Sequence, residues 1–106
     1  MNCLIIDDDD LSRIDLEKKV GKVSFLNLIG SCASASAAPD ILLNSRVDLL
    51  VLDVMMPGIT GLQFLENLTE RTLQVILVSS DMRYAVNGFD HSVADFLVKP
   101  ISDERL

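Results

Sequence analysis

Five short apolar runs, each stopped abruptly, constrain this chain more than any other feature of its sequence. They are Cys3-Leu4-Ile5-Ile6, Phe25-Leu26-Asn27-Leu28-Ile29, Leu49-Leu50-Val51-Leu52, Val75-Ile76-Leu77-Val78 and Phe96-Leu97-Val98. Successive side chains on a strand point to opposite faces, so a half-exposed strand alternates apolar and polar residues. Runs with almost no alternation suit strands covered on both faces, as in a parallel sheet.

Helical patterns lie between the runs. Leu11, Ile14 and Lys18 follow the first at helical spacing, with Glu17 and Lys19 on the wet side and Asp9 or Asp10 as N-cap. Residues 37–45 carry Ile41, Leu42 and Leu43, with Pro39 admissible only in a first turn. Thr60 and Gln63 have the capping-box spacing, and Leu62, Leu65 and Leu68 then share a face. Met82, Val86 and Phe89 form a weaker stripe, and Ser102–Arg105 begins a fifth helix that stops after one turn. Alternating strands and helices predict βαβ units, hence an α/β, doubly wound parallel sheet with helices on both faces.

The 106 residues fit a single domain spanning 1–106. Acidic residues number 16 against 9 basic ones, a formal charge of −7. Phosphate backbones would repel such a surface, which excludes direct DNA or RNA binding and favours cations and basic proteins as partners. No run approaches the ~18 apolar residues of a membrane helix, and the start lacks a basic n-region, so neither membrane insertion nor a signal peptide is expected. Cys3 and Cys32 are too few for a disulfide scaffold and lack metal-ligand spacing; they read as small strand residues in a reducing, cytoplasmic setting. His91 reads as a surface residue between a helix and a strand.

Ligands of a doubly wound sheet bind beyond the carboxyl ends of its strands. The first run ends in Asp7-Asp8, the third in Asp53, the fourth in Ser79 and the fifth in Lys99, whereas the second closes at Gly30 with nothing ionisable. Three carboxylates, a hydroxyl and an ammonium therefore meet at one edge. At ~4 Å and an effective dielectric of ~20, each carboxylate pair costs about 4 kcal/mol. Either one carboxyl keeps its proton or a cation sits among them. An all-oxygen set of two or three carboxylates suits Mg²⁺, and a carboxylate beside Mg²⁺ and a lysine is a plausible nucleophile toward a phosphoryl group.

With those positions placed, the sequence resembles the receiver domain of two-component response regulators over essentially its whole length. The resemblance is carried by Ile5-Ile6-Asp7-Asp8, the segment from Leu50 to Gly61 with its Asp53-Val54-Met55-Met56-Pro57-Gly58 core, Val78-Ser79-Ser80, and Asp95-Phe96-Leu97-Val98-Lys99-Pro100. Residues 84–101, and the interval from Ser79 to Lys99, look most like receivers of the LytTR type. The resemblance implies a flavodoxin-like five-stranded sheet of order 2-1-3-4-5 with the fifth helix truncated. It implies that Asp53 accepts a phosphoryl group from a phosphohistidine of a sensor histidine kinase or phosphotransfer protein. Asp8, Asp53 and the backbone carbonyl of Met55 would ligate Mg²⁺, and Asp7 would hold a metal-bound water or complete the shell. Lys99 would pair with phosphoryl oxygens, Ser79 would hydrogen-bond one of them, and Phe96 would be the aromatic switch that follows Ser79 inward. Lys99-Pro100 would be a cis peptide, and a homodimer would form through the helix four–strand five face. The resemblance further implies that this is a receiver piece of a protein continuing into a DNA-binding output domain.

Three departures bear on that expectation. Ser79 stands where threonine is commoner, but the hydroxyl is kept. Phe96 stands where tyrosine is frequent, and it lacks the terminal hydrogen bond. Met55 cannot hydrogen-bond an attacking water, whereas Asp81 has the chemistry to do so. Rival readings are a phosphatase of the haloacid-dehalogenase kind, a stand-alone relay, and a pseudo-receiver used only for docking. The phosphatase wants an acid two residues after its nucleophile, and Met55 occupies that position. A pure docking module has no need to gather Asp7, Asp8, Asp53, Ser79 and Lys99.

Overall fold

The computed structural model describes residues 1–54, 61–66, 73–80 and 95–99. β1 (Asn2–Ile6) leads into α1 (Asp10–Gly21), followed by β2 (Asn27–Cys32). A single 3₁₀ turn (Ala35–Ala37) opens onto α2 (Ala38–Asn44); then come β3 (Leu49–Asp53), α3 (Gly61–Glu66), β4 (Gln74–Ser79) and β5 (Asp95–Val98). The five strands form one parallel sheet in the order β2-β1-β3-β4-β5, the flavodoxin-like doubly wound arrangement.

The runs of β1 and β3 are buried on both faces, which is why they lack alternation, while the edge strands β2 and β5 are covered less fully. Cys3, Ile5, Leu49, Val51, Val78 and Leu97 form one core with Leu16 and Val20 of α1. Leu4, Ile6, Leu50, Leu52, Leu77 and Phe96 form the other with Ala38 of α2 and Phe64 of α3. Each such aliphatic side chain stabilises the fold by roughly 1.5–3 kcal/mol when fully buried. Cys3 and Cys32 lie in opposite cores, as free thiols.

The helix ends follow local chemistry. The Asp9 carboxylate accepts the Leu11 N–H and caps α1, whose first turn is acidic and last turn basic, in keeping with the helix dipole. Pro39 falls in the first turn of α2, where a missing N–H is harmless.

Two expectations are corrected. Gly30 does not close the second strand; it lies inside β2, paired with Leu4. A Cβ at Gly30 would stand 3.0 Å from Leu4 Cδ1 and 3.2 Å from Ile41 Cδ1, so the glycine admits close packing of α2 over the edge strand. Phe25 precedes that strand and is exposed. The buried stripe of α1 is also not Leu11, Ile14 and Lys18. Leu11 is 81% exposed and Ile14 is exposed too, whereas Leu16 and Val20 are buried. The lysines exchange roles: Lys18 is exposed, while the side chain of Lys19 is only 11% exposed and pairs with Asp15. The inward positions are Ser12, Leu16 and Val20, four residues apart, and the first of them bonds to the end of β1.

The Thr60 cap, Leu68, Asp81, the Met82–Phe89 stretch of the proposed dimer face, His91, the Lys99-Pro100 peptide and the fifth helix lie outside the described residues, and so do the side chains of Leu62 and Leu65. Among the described residues, no helix is long and apolar enough to cross a membrane.

Candidate acidic site at the strand tips

Parallel pairing continues just beyond the strands and sets their tips side by side. The Asp7 N–H donates to the Cys32 carbonyl at 3.0 Å, Val54 N–H to Val78 at 3.0 Å, and Lys99 N–H to Ser79 at 2.9 Å. Asp7 and Asp8 leave β1, Asp53 and Ser79 end β3 and β4, and Lys99 leaves β5. The residues expected to share an edge are therefore brought together.

Asp7, Asp53 and Ser79 are buried, at 0%, 4% and 0% exposure, and Asp8 is half-buried. Asp7, Asp8 and Asp53 each offer a carboxylate oxygen within 4.8 Å of the others. Lys99 Nζ lies 3.1 Å from Asp7 Oδ2 and 3.7 Å from Asp53 Oδ2, so one ammonium is shared between two acids. Phe96, two residues before the shared lysine's neighbour Val98, packs inward in the core beside Leu77.

The two buried acids are driven in opposite directions. Burial pushes the Asp7 carboxyl upward, but hydrogen bonds from Ser12, the Asp9 N–H and Lys99 outweigh it and hold Asp7 below the ordinary range. For Asp53, burial and the negative charge of Asp7 prevail over Lys99 and push the carboxyl up to about 7. At neutral pH, then, the pocket by itself keeps a proton on Asp53 part of the time. The donor set is all oxygen, hard and in excess of positive charge, which is the chemistry of a Mg²⁺-type site.

Gly61 fixes the wall behind the acid. Its N–H donates to the Val54 carbonyl at 2.8 Å, and a Cβ there would stand 2.4 Å from the Asp53 carbonyl oxygen. Only glycine lets α3 begin directly against the backbone of β3.

Sequence reasoning gave no role to Ser12 or Arg13, yet both hold Asp7. Ser12 Oγ donates to Asp7 Oδ2 at 2.6 Å, and Arg13 Nη1 donates to the Asp7 carbonyl at 3.0 Å while Nη2 pairs with Asp10. The available signal was the Asp9 cap, which places residues 12 and 13 one turn into α1, above the tip of β1. The Met55 carbonyl and the Pro57-Gly58 turn lie outside the described residues.

Comparison with known proteins agrees with this architecture. The family model of the response regulator receiver domain matches residues 3–106. An uncharacterized response regulatory protein of Shewanella oneidensis is 32% identical over the whole chain, which spans 45% of that protein. The transcriptional regulatory protein BtsR of Salmonella typhi is 33% identical over 97% of the chain and 44% of its own length, so the chain spans about half the length of the curated relatives it matches. Among solved structures, the response regulatory domain of mrkE from Klebsiella pneumoniae superposes with a TM-score of 0.89 at 21% identity, covering 99% of this chain and 88% of that one. The CheX-CheY-BeF3-Mg complex of Borrelia burgdorferi gives 0.85 at 23% identity, covering 99% and 82%. Matched along nearly its full length, with the acids at the strand tips where the doubly wound order puts them, the chain belongs to the response regulator receiver domain family, the signalling domain of two-component systems.

Proposed function

We propose that this receiver is switched by phosphorylation of Asp53, the donor being a phosphohistidine on a sensor histidine kinase or phosphotransfer protein. The observation that carries the reading is the negatively overloaded pocket: three carboxylates cluster around one lysine, which pairs with Asp7 and Asp53, and the raised carboxyl belongs to Asp53. An Asp53 oxygen attacks phosphorus, the P–N bond breaks with its electron pair passing to the imidazole, and an aspartyl phosphate remains.

Asp8 and Asp53, with the Met55 carbonyl, would hold Mg²⁺, and Asp7 would reach it through water. When bound, the ion neutralises phosphoryl oxygens and the crowded carboxylates. Lys99 already lies between Asp7 and Asp53, and turning its ammonium to a phosphoryl oxygen requires only a change of partner. Ser79 supplies a hydroxyl from the neighbouring strand tip. Its inward pull would be followed by Phe96, converting a local charge into a new surface on the β4–β5 side.

The output is transcriptional and LytTR-like in this proposal, with a dimer formed through the helix four–strand five face and a cytoplasmic setting. Its support is the likeness to BtsR, a named transcriptional regulatory protein more than twice as long, and the residue pattern of 84–101.

Incubation with a small-molecule phosphodonor and Mg²⁺ is expected to add one phosphoryl group, read as intact mass. Asp53→Asn should reduce it to background. Full labelling of that variant would overturn the assignment of Asp53.

A further inference from the structure

We propose that Ser12 is a positioning residue of the acidic site, its hydroxyl fixing the Asp7 carboxylate in the orientation that receives a divalent cation. The inference rests on the metal-binding reading above and extends it to a residue outside the acidic set.

Ser12 occupies the top of the inward stripe of α1, with Leu16 and Val20 below it. A serine within a helix ordinarily turns its hydroxyl to the carbonyl four residues back or to water. Here it reaches a side chain five residues back, at 2.6 Å, the short range of a hydrogen bond to a charged acceptor.

A carboxylate offers about four lone-pair positions. On Asp7, Oδ1 accepts the Asp9 N–H at 2.9 Å, while Oδ2 accepts both the Ser12 hydroxyl and Lys99 Nζ. With donors on both oxygens, the carboxylate meets the pocket, and the Asp53 carboxyl beside it, in one defined orientation. Of the two donors on Oδ2, Lys99 is also 3.7 Å from Asp53 and is the one drawn away once Asp53 carries new charge. Ser12 belongs to a capped helix and stays. It keeps a fully buried oxygen partnered whichever way Lys99 turns. Without the hydroxyl, Oδ2 depends on Lys99 alone. That draws the ammonium deeper, toward the place a cation would take, and frees the carboxylate to rotate.

The test is calorimetric titration of the chain with Mg²⁺, and with Mn²⁺ as a second ion, in the absence of phosphodonor. Ser12→Thr keeps the hydroxyl, Ser12→Val has the shape of threonine without it, and Ser12→Ala guards against a packing failure of valine. Ser12→Thr is expected to bind within about twofold of wild type, and Ser12→Val and Ser12→Ala about tenfold more weakly, the low end for loss of an outer hydrogen bond to a metal ligand. Asp8→Ala should abolish binding. If wild type takes up no divalent ion, or Asp8→Ala binds as wild type does, the metal reading falls and this inference with it. If Asp8→Ala fails to bind but valine and alanine at position 12 match threonine, the role of Ser12 alone is overturned.

Discussion

At the edge where the strands begin, Asp48 accepts the Asn2 N–H at 2.8 Å and the Arg46 Nε–H at 3.2 Å, while the Asn2 side chain donates to the Arg46 carbonyl. At the edge where they end, Asp7, Asp8 and Asp53 cluster, and Asp7 and Asp53 share Lys99. Both edges cross the same central strands, and both hold acids and bases. One carboxylate meeting two donors at a half-exposed rim is satisfied, and the Asn2 N–H bond holds the Asp48 carboxyl below its ordinary range. At the other edge three clustered carboxylates face one ammonium, and there the Asp53 carboxyl rises. The first edge closes the fold; the second stores a demand for positive charge, which a cation or a proton can meet.

The largest expected effect tests that contrast through pH. The Asp53 carboxyl is raised from 3.8 to about 7, so between those values the folded chain binds a proton that the unfolded chain does not. Stability from this group is fully present below about pH 4 and is lost as pH rises through 7. Without divalent ions, denaturant unfolding should show a loss of roughly 3 kcal/mol between pH 5 and 8. Asp7 shifts the other way and costs stability only below about pH 4, outside this range. Asp53→Asn should flatten the profile. A wild-type profile already flat over that range would mean the pocket is not overloaded.

Next in size is the response to Mg²⁺ at pH 8, where the proton has gone. At ten times its dissociation constant the ion should add about 1.4 kcal/mol of stability, read as a raised melting temperature. Asp8→Ala should remove the increment. A smaller effect belongs to the opposite edge. Asp48→Asn should lower the melting temperature without altering the Mg²⁺ increment, and any coupling between the two would break the division of labour.

The same contrast explains what was legible in the sequence. The acidic site was legible because the doubly wound order forces the carboxyl ends of β1, β3, β4 and β5 together, and their terminal residues can be read off one by one. The phase of α1 was not. Leu11–Ile14 and Leu16–Val20 are both helical spacings, and hydrophobicity alone does not choose between them. The rotation observed sets Leu16 and Val20 in the core, Ser12 and Arg13 on Asp7, and Leu11 and Ile14 outward. Gly30 was misread for a similar reason. As punctuation glycine ends a strand, but here Leu4 and Ile41 need the space where its side chain would be.

That rotation gives the smallest expected effect on stability. Leu11 is exposed and lines a cavity of about 440 Å³ between α1 and the site, with Asp9, Ser12, Asp15, Ser80 and Lys99. Leu11→Ser should leave stability within about 0.5 kcal/mol, because nothing buried is lost. If the donor is a phosphohistidine on a partner protein, as proposed, and it approaches over this rim, it touches Leu11, whereas a small phosphodonor need not. The substitution should therefore slow transfer from a phosphorylated partner protein by roughly threefold to tenfold, the worth of about 1 kcal/mol of apolar contact, and leave the small-donor rate unchanged. Equal slowing with both donors would place Leu11 in support of the pocket itself, and the rim would then belong to the charged edge rather than to a docking surface beside it.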